Sequence, residues 1–514
     1  MSTSKTTELV RGLSLLDATM IVVGSMIGSG IFITSAESSR LVGSPGWLIM
    51  AWALAGVLTI TGALCCAELA AMWPRAGGQY VFLREAYGPS IGFLFGWGLF
   101  LIIQSGTVAA VAVAFANFTG VLTDSVSADR YLISQLIILK PFKVGSMSFN
   151  GYALSLSTQQ LLAIVMILLL TLLNTRGLKT GKLIQNTFTF TKTAALAGLI
   201  LIGLIIGWNH GSAAYTSSWW RPWENGWQPT AAQVGFEPMT HGLLLLALVM
   251  LVGRAMVGPL FAQSAWNNVT FTAGEVREPG RNLPRALLLG CGLVVGLYLL
   301  ANLAYVVTLP LGGIQNAPQN RVATAVMQTA LGSKGTIIMA VAIMISTFGC
   351  NNGLILAGAR VYYAMARDGL FFKRVASVNQ HNVPAIALVT QGLWAAFLVL
   401  PRTVTVNPQS GTYTYGNVYT QLLEYIVSAD LIFYALMVGA VIVMRRKAPE
   451  IERPYRTFGY PVVPLIYIVL AALFILDLAY LAPSTSGIGY LLVFTGIPVY
   501  FVWRRGTPPP HNSD

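Results

Sequence analysis

Long apolar runs, separated by short polar segments, make up most of the sequence. A helix needs about 20 apolar residues to cross a hydrocarbon layer of about 30 Å. The pattern predicts twelve such spans, at about 14–38, 45–72, 88–120, 157–175, 183–208, 242–273, 284–309, 335–366, 384–401, 417–444, 461–481 and 486–503. The sequence therefore predicts an all-α polytopic membrane protein.

The first run contains a stretch that is unsuited to a continuous helix. Residues 24–30 hold three glycines and two serines, which are poor helix formers. Gly28 lies eleven residues after Asp17, or about 16 Å of helix, and therefore near the middle of the bilayer. A broken helix at that depth is typical of a transporter's substrate site. Close helix packing through Gly24 and Gly28 is the simpler alternative.

The sixth run carries a second interruption. Gln263, Ser264 and Asn267 are polar, and Ser264 lies thirteen residues before Arg277, which again indicates mid-membrane depth. Polar groups there face protein or water rather than lipid, and hydrogen bonding between helices alone would explain them. Because the two interrupted runs are five spans apart, the pattern favours an inverted repeat of spans one to five and six to ten.

Lys192 is the most informative single residue. It lies ten residues after Lys182, about 15 Å deeper in the fifth run. A charge at that depth costs at least about 2.5–3.5 kcal/mol, so a partner or a function is expected. The residues leave two overlapping roles open, namely pairing with carbonyl groups of a broken helix, or a fixed or titrating ammonium at a cation site. Ser346 and Thr347 are expected to face Lys192 or the core, or to bond back to their own helix.

Composition and charge narrow the function classes. The chain is 55% hydrophobic and 10% charged, against roughly 25% charged residues in soluble proteins. The net charge of +13 comes from residues between the runs, which argues for membrane topology and against nucleic acid binding. The distribution of Lys and Arg residues between the runs predicts a cell-membrane protein with both termini in the cytoplasm.

The four cysteines and four histidines form no metal-ligand or catalytic pattern, so we expect no enzyme activity, metal or cofactor.

The predicted organisation follows from the runs. The boundaries are a cytoplasmic N-terminal tail 1–13, a first repeat 14–208, an extracytoplasmic loop 209–240, a second repeat 241–444, two further helices within 445–503 and a cytoplasmic tail 504–514. Four other charged residues lie within or at the edges of the runs. Glu68 and Asp430 either pair structurally or relay protons, a structural role is favoured for Asp477, which lies outside the repeats, and Arg254 lies in an outer vestibule or within its span.

Six motifs together resemble the amino acid–polyamine–organocation superfamily, in particular its L-type amino acid transporters. They are residues 24–32, 74–80, 83–89, 273–284, 360–369 and 453–461. The resemblance covers nearly the whole chain. It implies twelve transmembrane helices in the leucine-transporter-like fold, a five-plus-five inverted repeat with discontinuous helices one and six and two C-terminal helices. It also implies alternating access around a central amino acid site.

The resemblance also implies residue roles. Backbone N–H groups of the stretch Met26, Ile27, Gly28, Ser29 and Gly30 would bind the substrate carboxylate. Carbonyl groups around Phe261, Ala262 and Ser264 would bind its ammonium group, and Phe261 would close over the substrate. Gln263 would lie at the same substrate site. Lys192, with Ser346 and Thr347, would stand where sodium-driven relatives hold an ion, which implies sodium-independent transport.

One departure bears on selectivity. The family often has an aromatic residue where this chain has Gln263, and a glycine where it has Ala265. We expect both changes to affect the substrate pocket.

The predicted function is secondary transport of neutral L-amino acids, either by exchange or coupled to protons. A membrane amino acid sensor, or a transporter of a related cationic amine, is the alternative. The expected partners are the amino acid substrate and the lipid bilayer.

Overall fold

The computed structural model describes residues 12–75, 77–144, 147–176, 181–215, 218–238, 242–380, 383–406 and 413–505. Nearly all of the predicted tails, 1–13 and 504–514, lies outside these residues, as does Ala76 of the second motif. The helices are α1 Leu15–Met26, α2 Gly30–Val42, α3 Pro45–Met72, α4 Gln79–Tyr87, α5 Pro89–Gly98, α6 Gln104–Thr119, α7 Thr158–Thr175, α8 Gly181–Ile205, α9 Ala231–Val234, α10 Leu244–Ala255, α11 Val257–Ala262, α12 Asn268–Phe271, α13 Pro279–Thr308, α14 Leu311–Gln315, α15 Val322–Arg367, α16 Ala385–Leu398, α17 Val418–Lys447, α18 Val462–Leu481, α19 Ser486–Phe494 and α20 Gly496–Arg505.

The helical membrane fold is confirmed. Within the described residues, ten helical segments are long and apolar enough to cross a membrane. The pair α1 and α2, bent by 42° at the break between them, makes an eleventh span. Helix α16 coincides with the predicted ninth run but has only 14 residues. Length and composition therefore do not confirm the count of twelve.

Local sequence explains where the first span begins. Ser14 Oγ accepts a hydrogen bond from Asp17 N at 3.3 Å, and Ser14 N donates to Asp17 Oδ2 at 2.9 Å. This reciprocal capping box fixes the start of α1. Asn186 of α8 donates to the other carboxylate oxygen of Asp17 at 3.1 Å. The two helices are thereby aligned so that Lys192 lies beside the end of α1.

Strands also form outside the spans, which the apolar pattern did not predict. They are β1 Tyr131–Leu139, β2 Phe142–Val144, β3 Met147–Phe149, β4 Gly151–Ser157, β5 Pro401–Val406 and β6 Tyr413–Tyr415. Strands β1, β4, β5 and β6 form one antiparallel sheet in that order, and β2 pairs with β3. Gly151 pairs with Val404 between β4 and β5. The sheet joins the segment between α6 and α7 to the segment between α16 and α17.

The interior is built around the interrupted spans. Helix α1 packs against α8 and α13, while α2 packs against α10 and α11. Because α2 belongs to the first interrupted span and α11 to the second, the two interrupted spans lie next to each other, and α11 also contacts α17. This packing brings both predicted interruptions into one region of the fold.

Candidate amino acid site

The first break covers residues 27–29. Helix α1 ends at Met26, and Ile27 leaves helical geometry with φ −73° and ψ 87°. Gly28 N donates to Met26 O at 2.8 Å, which forms a tight turn, and α2 begins at Gly30. The predicted interruption at Met26, Ile27, Gly28, Ser29 and Gly30 is therefore present in the structure.

The start of α2 presents unused backbone donors. The N–H groups of Ser29, Gly30 and Ile31 donate to no acceptor among the described residues, and Ser29 gives the helix no side-chain cap. The first N–H groups of any helix lack partners within the helix. Together with the helix dipole, they form a site that favours a carboxylate.

Lys192 contacts the first break directly. Its side chain is 1% exposed, and Nζ donates a hydrogen bond to Gly24 O in the last turn of α1. The end of a helix carries partial negative charge on its unpaired carbonyl groups, which favours an ammonium group there. The structure therefore pairs the lysine with a carbonyl group of a broken helix, in line with one of the two roles considered from the sequence.

The two hydroxyls predicted beside Lys192 differ in their contacts. Thr347 Oγ1 donates to Ile343 O of its own helix at 2.8 Å. Ser346 Oγ is buried and has no hydrogen-bond partner within the described chain. Cys350, one turn further along α15, lies against the break, with Sγ 3.7 Å from Ser25 O.

The second break covers residues 263–267, between α11 and α12. Phe261 O accepts hydrogen bonds from Ser264 N at 3.1 Å and from Ser264 Oγ at 2.7 Å. The carbonyl groups of Ala262 and Ser264 accept none from the described residues. Among the described residues, these two oxygens therefore have hydrogen-bonding capacity that Phe261 O has already used.

The two breaks touch each other. A Cβ atom built on Gly30 would lie 2.5 Å from the Cβ atom of Ala262. Glycine is therefore the residue that permits this approach of α2 to α11. The unused N–H groups of α2 and the unused carbonyl groups of α11 consequently lie at the same junction.

Gln263 points away from this junction. Its Nε2 donates to Trp52 O of α3 at 3.2 Å, and its Oε1 is buried without a partner in the described chain. Its amide packs against α3 because that helix supplies its acceptor, and its predicted place in the substrate site stays a prediction.

Ala265 has a left-handed backbone, with φ 63°. A Cβ atom makes this conformation unfavourable by about 1–2 kcal/mol, which explains why a glycine suits the position.

We expect Ala265→Gly to raise the melting temperature in detergent, by relief of about 1 kcal/mol of strain. Ala255→Gly in helix α10 is the control and should lower it, because glycine weakens a helix interior. A lower melting temperature for Ala265→Gly would contradict the strain.

Three tyrosines support the breaks, and the sequence analysis missed them. Tyr298 Oη donates to Met26 O at 2.9 Å, and Tyr305 Oη donates to Ile31 O at 3.1 Å. The hydroxyls of Tyr419 and Ser29 lie 2.9 Å apart, while the Tyr419 ring meets Phe261 edge to face. Tyr298 and Tyr305 are seven residues apart in an apolar run, a spacing that puts both on one helix face. This spacing is the sequence feature from which the two tyrosines could have been identified.

The other charged residues divide into paired and isolated ones. Glu68 binds Arg445 through two hydrogen bonds of 2.9 and 2.7 Å, which supports its structural alternative. Arg254 lies 3.5 Å from Glu424, a partner that the sequence analysis did not single out. Asp430 and Asp477 form no ion pair within the described residues.

Comparison with known proteins gives the family. The amino acid permease family matches residues 13–503. The large neutral amino acids transporter small subunit 2 of Mus musculus is 29% identical over 498 residues, covering 96% of this chain and 81% of the relative. The b(0,+)-type amino acid transporter 1 of Mus musculus is 26% identical over 510 residues, covering 97% and 89%. The Asc-type amino acid transporter 1 of Mus musculus is 26% identical over 513 residues, covering 98% and 83%.

These matches confirm the resemblance inferred from the six motifs, including its L-type branch. They extend over the interrupted spans and over the helices that support them. The chain belongs to the amino acid permease family of the amino acid–polyamine–organocation superfamily, and it is an integral membrane protein of amino acid transport.

Proposed function

We propose that this chain carries L-amino acids with uncharged side chains across the cell membrane by alternating access, without sodium. The main support is the junction of the two breaks, where Gly30 of α2 approaches Ala262 of α11. Among the described residues, the N–H groups at this end of α2 and the carbonyl groups of Ala262 and Ser264 have no hydrogen-bond partner. An α-amino acid has an anion and a cation one carbon apart, and this junction offers a partner for each. Exchange and proton coupling both fit this proposal.

The carboxylate would bind at the start of α2. Ser29, Gly30 and Ile31 supply backbone donors whose hydrogen-bonding capacity the described protein does not use. Because the bilayer core offers no water, the substrate or a cavity water must satisfy these groups. Met26, Ile27 and Gly28 shape the turn that exposes them.

The ammonium group would bind at the end of α11. The carbonyl oxygens of Ala262 and Ser264 accept no hydrogen bond from the described residues, and they lie at or just beyond the partially negative end of that helix. Phe261 contacts Tyr419, which in turn contacts Ser29. Movement of the Phe261 ring would therefore change side-chain contacts at both breaks, in keeping with its predicted role as a lid.

Lys192 would replace a bound sodium ion, because its ammonium group already meets the carbonyl end of α1. Ser346 and Thr347 remain candidates for the same ion-substituting site. Both termini are proposed to lie in the cytoplasm, from the distribution of positive charge.

Counterflow in proteoliposomes tests this proposal. We expect labelled neutral L-amino acids to enter vesicles preloaded with unlabelled substrate, at the same rate when choline replaces sodium, because an ammonium group occupies the place of the ion. D-amino acids serve as the matched control. Absence of saturable counterflow for every amino acid would contradict transport, whereas a strict requirement for sodium would contradict the role of Lys192.

A further inference from the structure

A small cavity lies beside the second break. Helix α3, the end of α11, the second break, α17 and α18 enclose a volume of about 20 Å³, which is room for about one water molecule. Its polar lining consists of Thr59, Gln263, Ser264, Asp430, Tyr434 and Tyr467. The remainder of the lining is aliphatic apart from one indole ring.

Two acceptors line this cavity without a matching charge. Asp430 is 7% exposed, lies beside the hydroxyl of Tyr434 on its own helix, and lies in no ion pair of the described chain. Gln263 is 0% exposed, and its Oε1 atom has no hydrogen-bond partner there. A carboxylate without a cation is costly inside a membrane, and so is an unpaired carbonyl oxygen. One proton and one water would satisfy both, since a carboxylic acid donates to the water and the water donates to Gln263 Oε1.

Among the titratable side chains near this cavity, Asp430 is the one suited to exchange a proton. The titratable side chains near it are Tyr434 on its own helix, Tyr467 on α18 and, beyond Tyr467, Cys65 on α3. Phenols and thiols keep their protons near neutral pH in the absence of an activating cation. Helix α11 and the second break contribute no titratable side chain to the lining.

The position of Asp430 mirrors that of Lys192. Lys192 lies in the fifth span and contacts the break in the first, whereas Asp430 lies in the tenth span and lines a cavity at the break in the sixth. In a five-plus-five repeat these are corresponding spans. One break is thus accompanied by a cation and the other by an acid.

We propose that Asp430 binds the proton that travels with the amino acid, with Gln263 and one water completing the site. The proton adds to the carboxylate from one side of the membrane and leaves to water on the other. Gln263 belongs to the second break, so a change in the shape of that break removes the acceptor that stabilises the protonated acid. This inference rests on the proposed function and specifies its energy source.

Proteoliposomes with a trapped pH dye test the inference. We expect substrate addition to acidify the lumen, and a gradient of one pH unit to support about tenfold accumulation at one proton per substrate. Asp430→Asn should retain counterflow but lose the acidification and the accumulation, because an amide has the same shape but does not take up the proton. Asp477→Asn, which changes a carboxylate outside this cavity, should retain both the acidification and the accumulation.

A second variant probes the partner oxygen. Gln263→Leu removes the acceptor of the protonated form, so proton binding weakens and the midpoint of pH-driven uptake should move to lower pH. An unchanged midpoint would contradict the partnership of Gln263 with Asp430.

If Asp430→Asn acidifies the lumen and accumulates substrate as the unmodified protein does, the inference is overturned. Counterflow without proton movement in the unmodified protein would also overturn it while leaving the proposed function intact. Uptake driven by a sodium gradient and lost in Asp430→Asn would assign the cavity to sodium instead. Absence of any counterflow would overturn the proposed function itself.

Discussion

Lys192→Ala should reduce amino acid counterflow by about tenfold to a hundredfold. The variant removes the hydrogen bond to Gly24 O and leaves the carbonyl end of α1 without its buried cation. Hydrogen bonds to charged groups contribute about 1.5–3 kcal/mol, which corresponds to that range in a conformational equilibrium. Initial rates of counterflow at saturating substrate, normalised to reconstituted protein, measure the effect.

Lys192→Met separates the charge from the volume of the side chain. Methionine fills most of the same space but supplies no ammonium group, so it should be as inactive as alanine. Melting temperatures in detergent check that both variants fold. Recovery of transport with methionine would show that Lys192 acts by packing alone, and near-normal transport with alanine would remove it from the mechanism.

Gly30→Ala should abolish substrate binding, the second large effect. The added methyl group would lie 2.5 Å from the Cβ atom and 2.8 Å from the Cα atom of Ala262, so α2 and α11 must move apart. That movement separates the N–H groups from the carbonyl groups that together would hold the substrate. Thermal stabilisation by a panel of amino acids, seen in the unmodified protein, should disappear.

Two further variants give this prediction its controls. Gly198→Ala in α8 adds a methyl group into open space and should leave substrate stabilisation unchanged. Combining Gly30→Ala with Ala262→Gly removes one of the two clashing atoms and should restore binding in part, which measures the coupling between the breaks. Binding by Gly30→Ala equal to that of the unmodified protein would show that the close approach is unimportant.

The sequence predicted both breaks because their causes are local. Glycine and serine weaken a helix wherever they cluster, so Gly28 and Ser29 marked the first break without tertiary information. Lys192 was equally visible, because its distance from Lys182 sets its depth. Each of these signals depends on residues close together in the sequence.

The partners of the breaks were not predictable in the same way. Tyr298 and Tyr419 lie in distant helices, so only packing shows that they reach Met26 and Ser29. The direction of the Gln263 amide depends on an acceptor in α3. The strands were not predicted because they are short and lack a long apolar run. Residues of β4 do alternate between buried and half-buried, which is the pattern of a strand.

The pairing of β4 with β5 has a mechanical consequence. It clamps the connection between the third and fourth spans to the connection between the ninth and tenth, through a ladder of backbone hydrogen bonds. Shearing that ladder would require its hydrogen bonds to break together, so we expect these four spans to move as one unit at that end. In the proposed alternating-access cycle, opening and closing of a passage would then come from tilting of the interrupted helices against this unit.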